Sequence, residues 1–320
     1  MSPLLPSILT VAALIAPAIA ADAWHTDFPA ALTQAKAEKK PVLLVFTGSD
    51  WCGWCMTMRL QVLDTKPFYD YARDKFVLME VDLPRNTSGM TPEQLRHNNA
   101  LVSRYGVTMF PTVLVITPEG QVLGGFTGGR TDLASVAKSL DLAHTNAELL
   151  QQAANSQGIE KAQILKTLYG NIPDTFRRDM HDMRKEIAAL DPQNTTGIHT
   201  ELQDLATIRS ITEQTRPMQN KEAADAIIAA LPKVSDAHRG DLLQMLSDRL
   251  NAHVRQLWEQ GDSLADIEEM RRTNLRIIEY CVPKESHKGA LNRVNKEFAQ
   301  PQKMLDKLRR EREYRIKYKK

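Results

Sequence analysis

Ser49-Asp50-Trp51-Cys52-Gly53-Trp54-Cys55 holds two of the chain's three cysteines, with two residues between them. A Cys-x-x-Cys pair can close into a small disulfide and open again, and its reactivity depends on where the first sulfur sits. At the first turn of a helix, unpaired backbone N–H groups and the helix dipole stabilise a thiolate, which is the nucleophile of thiol–disulfide exchange. The residues on either side point to such a junction. Val42-Leu43-Leu44-Val45-Phe46 is an unbroken apolar run, the pattern of a strand buried on both faces, and Cys55 to about Leu63 is helical in pattern. Cys52 is then the attacking thiol and Cys55, one turn on, the resolving thiol. The other readings of the motif are a static disulfide or half of a zinc site. Zinc needs two further N or S ligands at suitable spacing, and the sequence has neither a second Cys-x-x-Cys nor a Cys/His cluster.

Upstream, Asp27 is placed to cap a helix whose apolar face is Phe28, Ala31, Leu32 and Ala35, ended by Lys39-Lys40-Pro41. Downstream come a short helix over Pro67–Lys75, a strand over Phe76–Asp82 and a polar loop. A helix follows over Pro92–Tyr105, then a strand over Val113–Ile116. The turn Thr117-Pro118-Glu119-Gly120 leads into an antiparallel partner, Gln121–Phe126. Gly128-Gly129 breaks the chain, and Asp132 caps a helix from Leu133 to about Ala143. This order implies a mixed sheet covered by helices on both faces.

With these residues, the stretch 24–146 resembles the thioredoxin superfamily. Trp51-Cys52-Gly53-Trp54-Cys55 is similar to its active-site segment, and Tyr105-Gly106-Val107-Thr108-Met109-Phe110-Pro111-Thr112 to its second signature. The opening with Ser49-Asp50 resembles exported bacterial members that carry a helical C-terminal extension. The resemblance implies an α/β thioredoxin-like fold and a cis peptide before Pro111, where sequence alone would make trans the default. It also implies that the exposed backbone of Phe110 pairs with substrate. Trp51, Gly53 and Trp54 complete the expected substrate surface, with Trp51 packed on the loop and Trp54 exposed. The family usually buries an acid under the resolving cysteine, near Val45 or Phe46, and neither is acidic here. Glu80 stands where the family often has the lysine partner of that acid. Two readings of it stay open: the proton acceptor of Cys55, or an edge or surface glutamate. Gly53-Trp54 between the cysteines lacks both the proline of strong reductants and the histidine of strong oxidants, so the motif leaves the direction of electron flow open.

From 147 onward no strand-like alternation occurs. Ile159–Tyr169, Asp174–Leu190, Leu202–Ile211 and Lys221–Leu231 carry apolar residues at helical spacing, and Leu242, Leu243, Leu246, Leu250, Val254 and Leu257 make the clearest stripe. The expectation is an all-α domain over 147–300, read as core and not as a cofactor site, with Cys281 as a buried inert thiol. Pro301 to Lys320 holds nine Lys/Arg and three Asp/Glu, a basic tail of +6 in a chain of net charge +2, so the rest carries −4. Such a tail favours anionic membrane or nucleic acid, or is a solvated helix end.

At the other end, Leu4–Ala21 is apolar or small and uncharged. Ala18-Ile19-Ala20 fits a cleavage site, so residues 1–20 read as a signal peptide of an exported, periplasmic protein. No other stretch is long and apolar enough to span a bilayer. The composition, 42% hydrophobic and 25% charged over 320 residues, is that of a globular chain of two domains. The expected function is a thiol–disulfide oxidoreductase, a reductase or isomerase. It would act on protein substrates with no cofactor beyond the Cys52–Cys55 pair, with a membrane electron donor and without nucleic acid as partner. The competing expectation is a binding or chaperone-like module in which the helical domain carries the function and the redox pair is accessory.

Overall fold

The computed structural model describes residues 24–177 and 180–318, and the expected signal peptide lies outside them. The chain divides into two compact units, the first ending at Pro192 and the second beginning at Gln193.

The first unit is built on a five-stranded sheet. Its strands are β1 (Trp24–His25), β2 (Val42–Thr47), β3 (Val77–Asp82), β4 (Thr112–Ile116) and β5 (Val122–Thr127), in the order β1-β3-β2-β4-β5. Strands β1 and β2 run parallel to β3, while β4 is antiparallel to both β2 and β5. The central place of β2 explains its unbroken apolar run, since all six of its residues are buried. One face, with Leu43, Val45, Leu78, Val113 and Val115, packs on Met58, Val62 and Phe68; the other, with Val42, Leu44, Phe46 and Met79, packs on Ala31, Ala35 and Leu101. This is the mixed, two-faced thioredoxin-like sheet that the sequence implied.

The helices of this layer are α1 (Phe28–Glu38), α2 (Gly53–Met58), α3 (Lys66–Ala72), α4 (Pro92–Arg104) and α5 (Leu133–Asn155). Asp27 caps α1 by accepting from the Ala30 N–H at 2.8 Å. Thr91 and Gln94 form a reciprocal capping box at the start of α4. Helix α2 begins at Gly53, two residues before the expected start, and from Arg59 to Leu63 it continues as a π-helical turn in which the Asp64 N–H bonds the Arg59 carbonyl at 2.8 Å.

Three further expectations change. The short β1 was not foreseen, because two residues are too few to show an alternation. Helix α5 runs past Ala143 to Asn155, so residue 147, where the helical region was expected to begin, lies inside it. The buried polar residue in its middle is satisfied: Asn146 donates to the Leu123 carbonyl at 2.7 Å and accepts from Asn171 at 2.9 Å. The Asp174–Leu190 stretch forms two helices, α7 (Asp174–Arg177) and α8 (His181–Leu190), after α6 (Gly158–Asn171).

The second unit holds α9 (Ile198–Thr215), α10 (Asn220–Ala230), α11 (Asp236–Gln260), α12 (Leu264–Cys281), α13 (His287–Glu297) and α14 (Pro301–Tyr318). Leu242, Leu246 and Leu250 of the foreseen stripe pack with Ala224, Ile227 and Leu231. A second cluster joins Ile267, Met270 and Ile278 to Val294, Leu305 and Leu308. Cys281 is half-buried, not fully buried, and desolvation raises its pKa, which suits an unreactive thiol. Among the described residues, no helix is long and apolar enough to cross a membrane.

Candidate active site

Strand β2 delivers the chain to Gly48, and a tight turn follows in which the Cys52 N–H bonds the Gly48 carbonyl at 2.9 Å. Cys52 is the N-cap residue of α2. Its sulfur is joined to that of Cys55, and it also lies 3.2 Å from the Cys55 backbone N–H, which points at it. The strand-to-helix junction therefore puts Cys52 where a thiolate meets the positive end of a helix. Both sulfurs belong to buried residues, 6% and 3% exposed. In this state each is committed to the other, and substrate chemistry follows opening of the pair.

Two carboxylates fix the turn from either side. Asp82, at the end of β3, accepts from the Ser49 N–H at 2.9 Å and the Ser49 hydroxyl at 2.6 Å. Asp50 accepts from the N–H groups of Arg85 and Asn86 at 2.8 and 2.7 Å, and those backbone bonds, Asn86 first, hold its pKa below the usual carboxylate range.

The tryptophans divide as expected. Trp51 donates its indole N–H to the Leu83 carbonyl at 2.8 Å, and its ring meets Phe110 edge-on at 5.4 Å. The Arg85 guanidinium lies 5.6 Å from the Trp51 ring. Trp54 is 63% exposed, and its inner atoms rest against Gly129, where a Cβ would come within 3.0 Å of Trp54 Cβ. Exposed Gly53 lies between the two.

The Phe110–Pro111 peptide is cis. The Pro111 carbonyl accepts from the Gly128 N–H at 2.8 Å, and the Thr112 hydroxyl donates to the Met109 carbonyl at 2.8 Å, so the loop is tied at both ends. Through the Trp51–Phe110 contact this loop stands against the active-site turn. Met109, just ahead of it, is 54% exposed.

Glu80 pairs in register with Val45, and alternation along β3 sets it on the same face as Leu78, the face covered by the active-site helix. Its side chain is 15% exposed and ion-paired with Arg59, the first residue of the π-helical turn. Burial pushes the Glu80 pKa up; the Arg59 cation opposes this, and neighbouring Asp82 adds to it. A small hollow of about 320 Å³, lined by Glu80, Asp82, Thr26, Met90, Gln94 and Asn98, connects this carboxylate with the sheet edge. Glu80 thus has features of both sequence readings, a desolvated carboxylate on the active-helix face and a place near the edge.

Arg59 and Asp82 went unremarked in the sequence. The signal for Arg59 was its position four residues after Cys55, one turn along the same helix. Asp82 gave none, because its partner Ser49 is remote in sequence. A larger hollow of about 780 Å³ lies elsewhere in the first unit, lined among others by Arg104, Tyr105, Leu165, Phe176 and Met183; none of the expected site residues lines it.

A Cys-x-x-Cys disulfide at a helix N-terminus, on this sheet and beside a cis-proline loop, defines a thiol–disulfide oxidoreductase. Comparison with known proteins agrees. Residues 28–143 match the family model described as a thioredoxin-like domain. The disulfide bond reductase DsbH of Chlamydia pneumoniae is 36% identical over 130 residues, 39% of this chain and 78% of the relative. The thioredoxin-related protein DsbJ of the same organism is 34% identical over 97 residues, 30% of this chain and 27% of the relative. A solved DsbH oxidoreductase structure is 36% identical, with 36% of this chain and 79% of that one covered and a TM-score of 0.33. The chain belongs to the thioredoxin-like family.

Proposed function

We propose that this protein is an exported protein-disulfide reductase. The observation that carries the reading is the Cys52–Cys55 disulfide at the start of α2, with the cis Phe110–Pro111 loop packed beside it through Trp51. The name of the reductase relative, which is covered over most of its length, favours reduction over isomerisation.

In the reduced protein, the Cys52 thiolate attacks a substrate disulfide. That bond breaks, one substrate thiolate leaves, and a Cys52–substrate mixed disulfide forms. The Cys55 thiol then gives up its proton, for which Glu80 on the sheet face under the active-site helix is the acceptor in this reading, and attacks the Cys52 sulfur. The second substrate thiolate leaves and the Cys52–Cys55 disulfide returns, so two electrons have passed from protein to substrate. A dithiol donor of the envelope restores the reduced state by the reverse exchange. The polypeptide is held by the Phe110 backbone and by the apolar surface of Trp54 and Met109, because no charged side chain lies in the segment Gly106–Thr112.

Reduction of insulin disulfides by the purified protein, beside Cys52→Ser and with the pair's reduction potential measured, tests this. Turnover lost in the variant and a potential at or below that of thioredoxin-type reductants, about −270 mV, are expected. A potential near −120 mV would make the protein an oxidant and end the reductase reading. Equal client binding by both forms without turnover would move the function to the helical region.

A further inference from the structure

Helix α14 starts as a packed element and ends as something else. Met304, Leu305 and Leu308 are buried in the core of the second unit. Beyond Leu308 no described residue is buried. The last attachments are Arg309, whose Nε bonds Asp262 at 2.6 Å, and Arg312, which donates to the Gly261 carbonyl. From Glu313 to Tyr318 every side chain is exposed.

That exposed stretch is not composed like a solvated helix end. Tyr314, Ile316 and Tyr318 are 65%, 80% and 60% exposed, and the two tyrosine rings lie tilted at 38° with centroids 4.6 Å apart. Helical spacing puts Arg310, Tyr314, Lys317 and Tyr318 on one side, with Arg315 and Ile316 around the other. Among the described residues no carboxylate lies within ion-pair distance of Arg310, Arg315 or Lys317, and Lys319 and Lys320 follow in the sequence. Of the nearby acids, Asp306 accepts from Gln302 at 3.0 Å and Glu311 faces Lys307 at 3.9 Å, which leaves Glu313 as the counter-charge within the last turns.

Large apolar groups among cations without a carboxylate partner, Lys317 lying only over the Tyr318 ring at 5.5 Å, suit one kind of partner. At a bilayer surface, tyrosine rings settle at headgroup depth, an aliphatic side chain enters the acyl boundary, and Arg and Lys reach outward to lipid phosphates. A nucleic acid would use the cations but leave Ile316 in water. With apolar groups on both sides of the last turn, the helix end dips into the surface instead of lying flat on it. We infer that Arg310–Tyr318 is a surface anchor for anionic phospholipid membrane.

The test is co-sedimentation of residues 21–320, the chain after the expected cleavage, with phosphatidylcholine vesicles lacking or containing phosphatidylglycerol. Binding to the anionic vesicles only, weakening steeply with salt, is expected. Two variants are compared: R310Q/R315Q/K317Q, and Y314S/I316S/Y318S. All six side chains lie beyond the last buried residue of the helix, so both variants should fold, which far-UV circular dichroism checks. Each should bind anionic vesicles at least about ten-fold more weakly than the parent. No binding by the parent overturns the inference. So does full binding by the serine variant, which would reduce the tail to a non-specific polycation. Tighter binding to double-stranded DNA than to anionic vesicles at equal salt overturns it in favour of a nucleic-acid partner.

Discussion

Arg59 and Glu80 form an ion pair between the active-site helix and strand β3, so the carboxylate proposed above as proton acceptor is held by a cation one helical turn from Cys55. Desolvation raises the Glu80 pKa and Arg59 restrains the rise. The ionised form is the base, so resolution of a mixed disulfide should speed up as pH climbs through that raised pKa. Glu80→Gln should remove this limb of the pH profile and slow resolution about ten-fold or more. Arg59→Gln should move the limb to higher pH while keeping it. Single-turnover decay of a Cys52 mixed disulfide across pH measures both. An unchanged profile in Glu80→Gln would leave the carboxylate a purely structural partner of Arg59.

The same pair has a stability signature. A carboxylate whose folded pKa lies above its unfolded value binds its proton more tightly when folded. Stability therefore falls as pH rises from the unfolded pKa through the folded one. Without Arg59 the restraint is gone, so Arg59→Gln should lose more stability than the parent over that rise. Urea titrations at acidic and neutral pH read the difference.

The two cysteines are not equivalent. Cys52 is the cap of α2, and Cys55 sits inside the helix, more deeply buried. Cys55→Ser should therefore accumulate a stable mixed disulfide with a polypeptide substrate, seen on non-reducing gels and by intact mass. Cys52→Ser should accumulate essentially none. Comparable adducts on both variants would show that the helix start does not select the nucleophile.

How far the sequence could be read follows from the range of the interactions. Strand β2 was legible because central burial demands an unbroken apolar run, and Val42–Phe46 is one. Cys52 was legible because strand, turn and helix are contiguous around it. The cis Phe110–Pro111 bond came from family resemblance, since proline alone favours trans. The Arg59–Glu80 pair was not legible. It depends on a π-helical turn, and on Glu80 standing opposite Val45, which only the sheet register decides. The Asp82–Ser49 tie is hidden for the same reason, as it closes across two adjacent strands whose pairing the local pattern does not state.

Gly48 lies directly under the Trp51 indole, where a Cβ would come within 2.3 Å of Trp51 Cε2. Gly48→Ala should push the ring off its site, breaking the bond to the Leu83 carbonyl and the edge contact with Phe110. The cost should be about 1–3 kcal/mol, measured by denaturant unfolding, with a change in tryptophan emission of the folded state. Parent-like stability and emission would mean that the turn relaxes around the methyl group.

Asp204 of α9 supports the second unit in a way that acid should undo. It is 2% exposed, and it accepts from the Ser235 N–H at 3.1 Å, from the Ser235 hydroxyl, and from His238 Nδ1 at 3.2 Å. Ser235 precedes α11 and makes no side-chain cap of its own, so Asp204 takes up a helix-start N–H from a distance. Burial alone would raise its pKa, but the bonds from Ser235 and His238 outweigh it, and the net shift is downward. A carboxylate with a depressed folded pKa contributes stability above its unfolded value, near 3.9, and loses it as pH falls through the folded pKa. Asp204→Ala should cost about 1–3 kcal/mol at neutral pH, since it also strands the part-buried Ser235 N–H. The gap between parent and variant should narrow progressively below about pH 4. Denaturant titrations of both proteins at neutral pH and in mild acid give the comparison. A gap that stays constant with pH would assign the loss to packing and not to the charge.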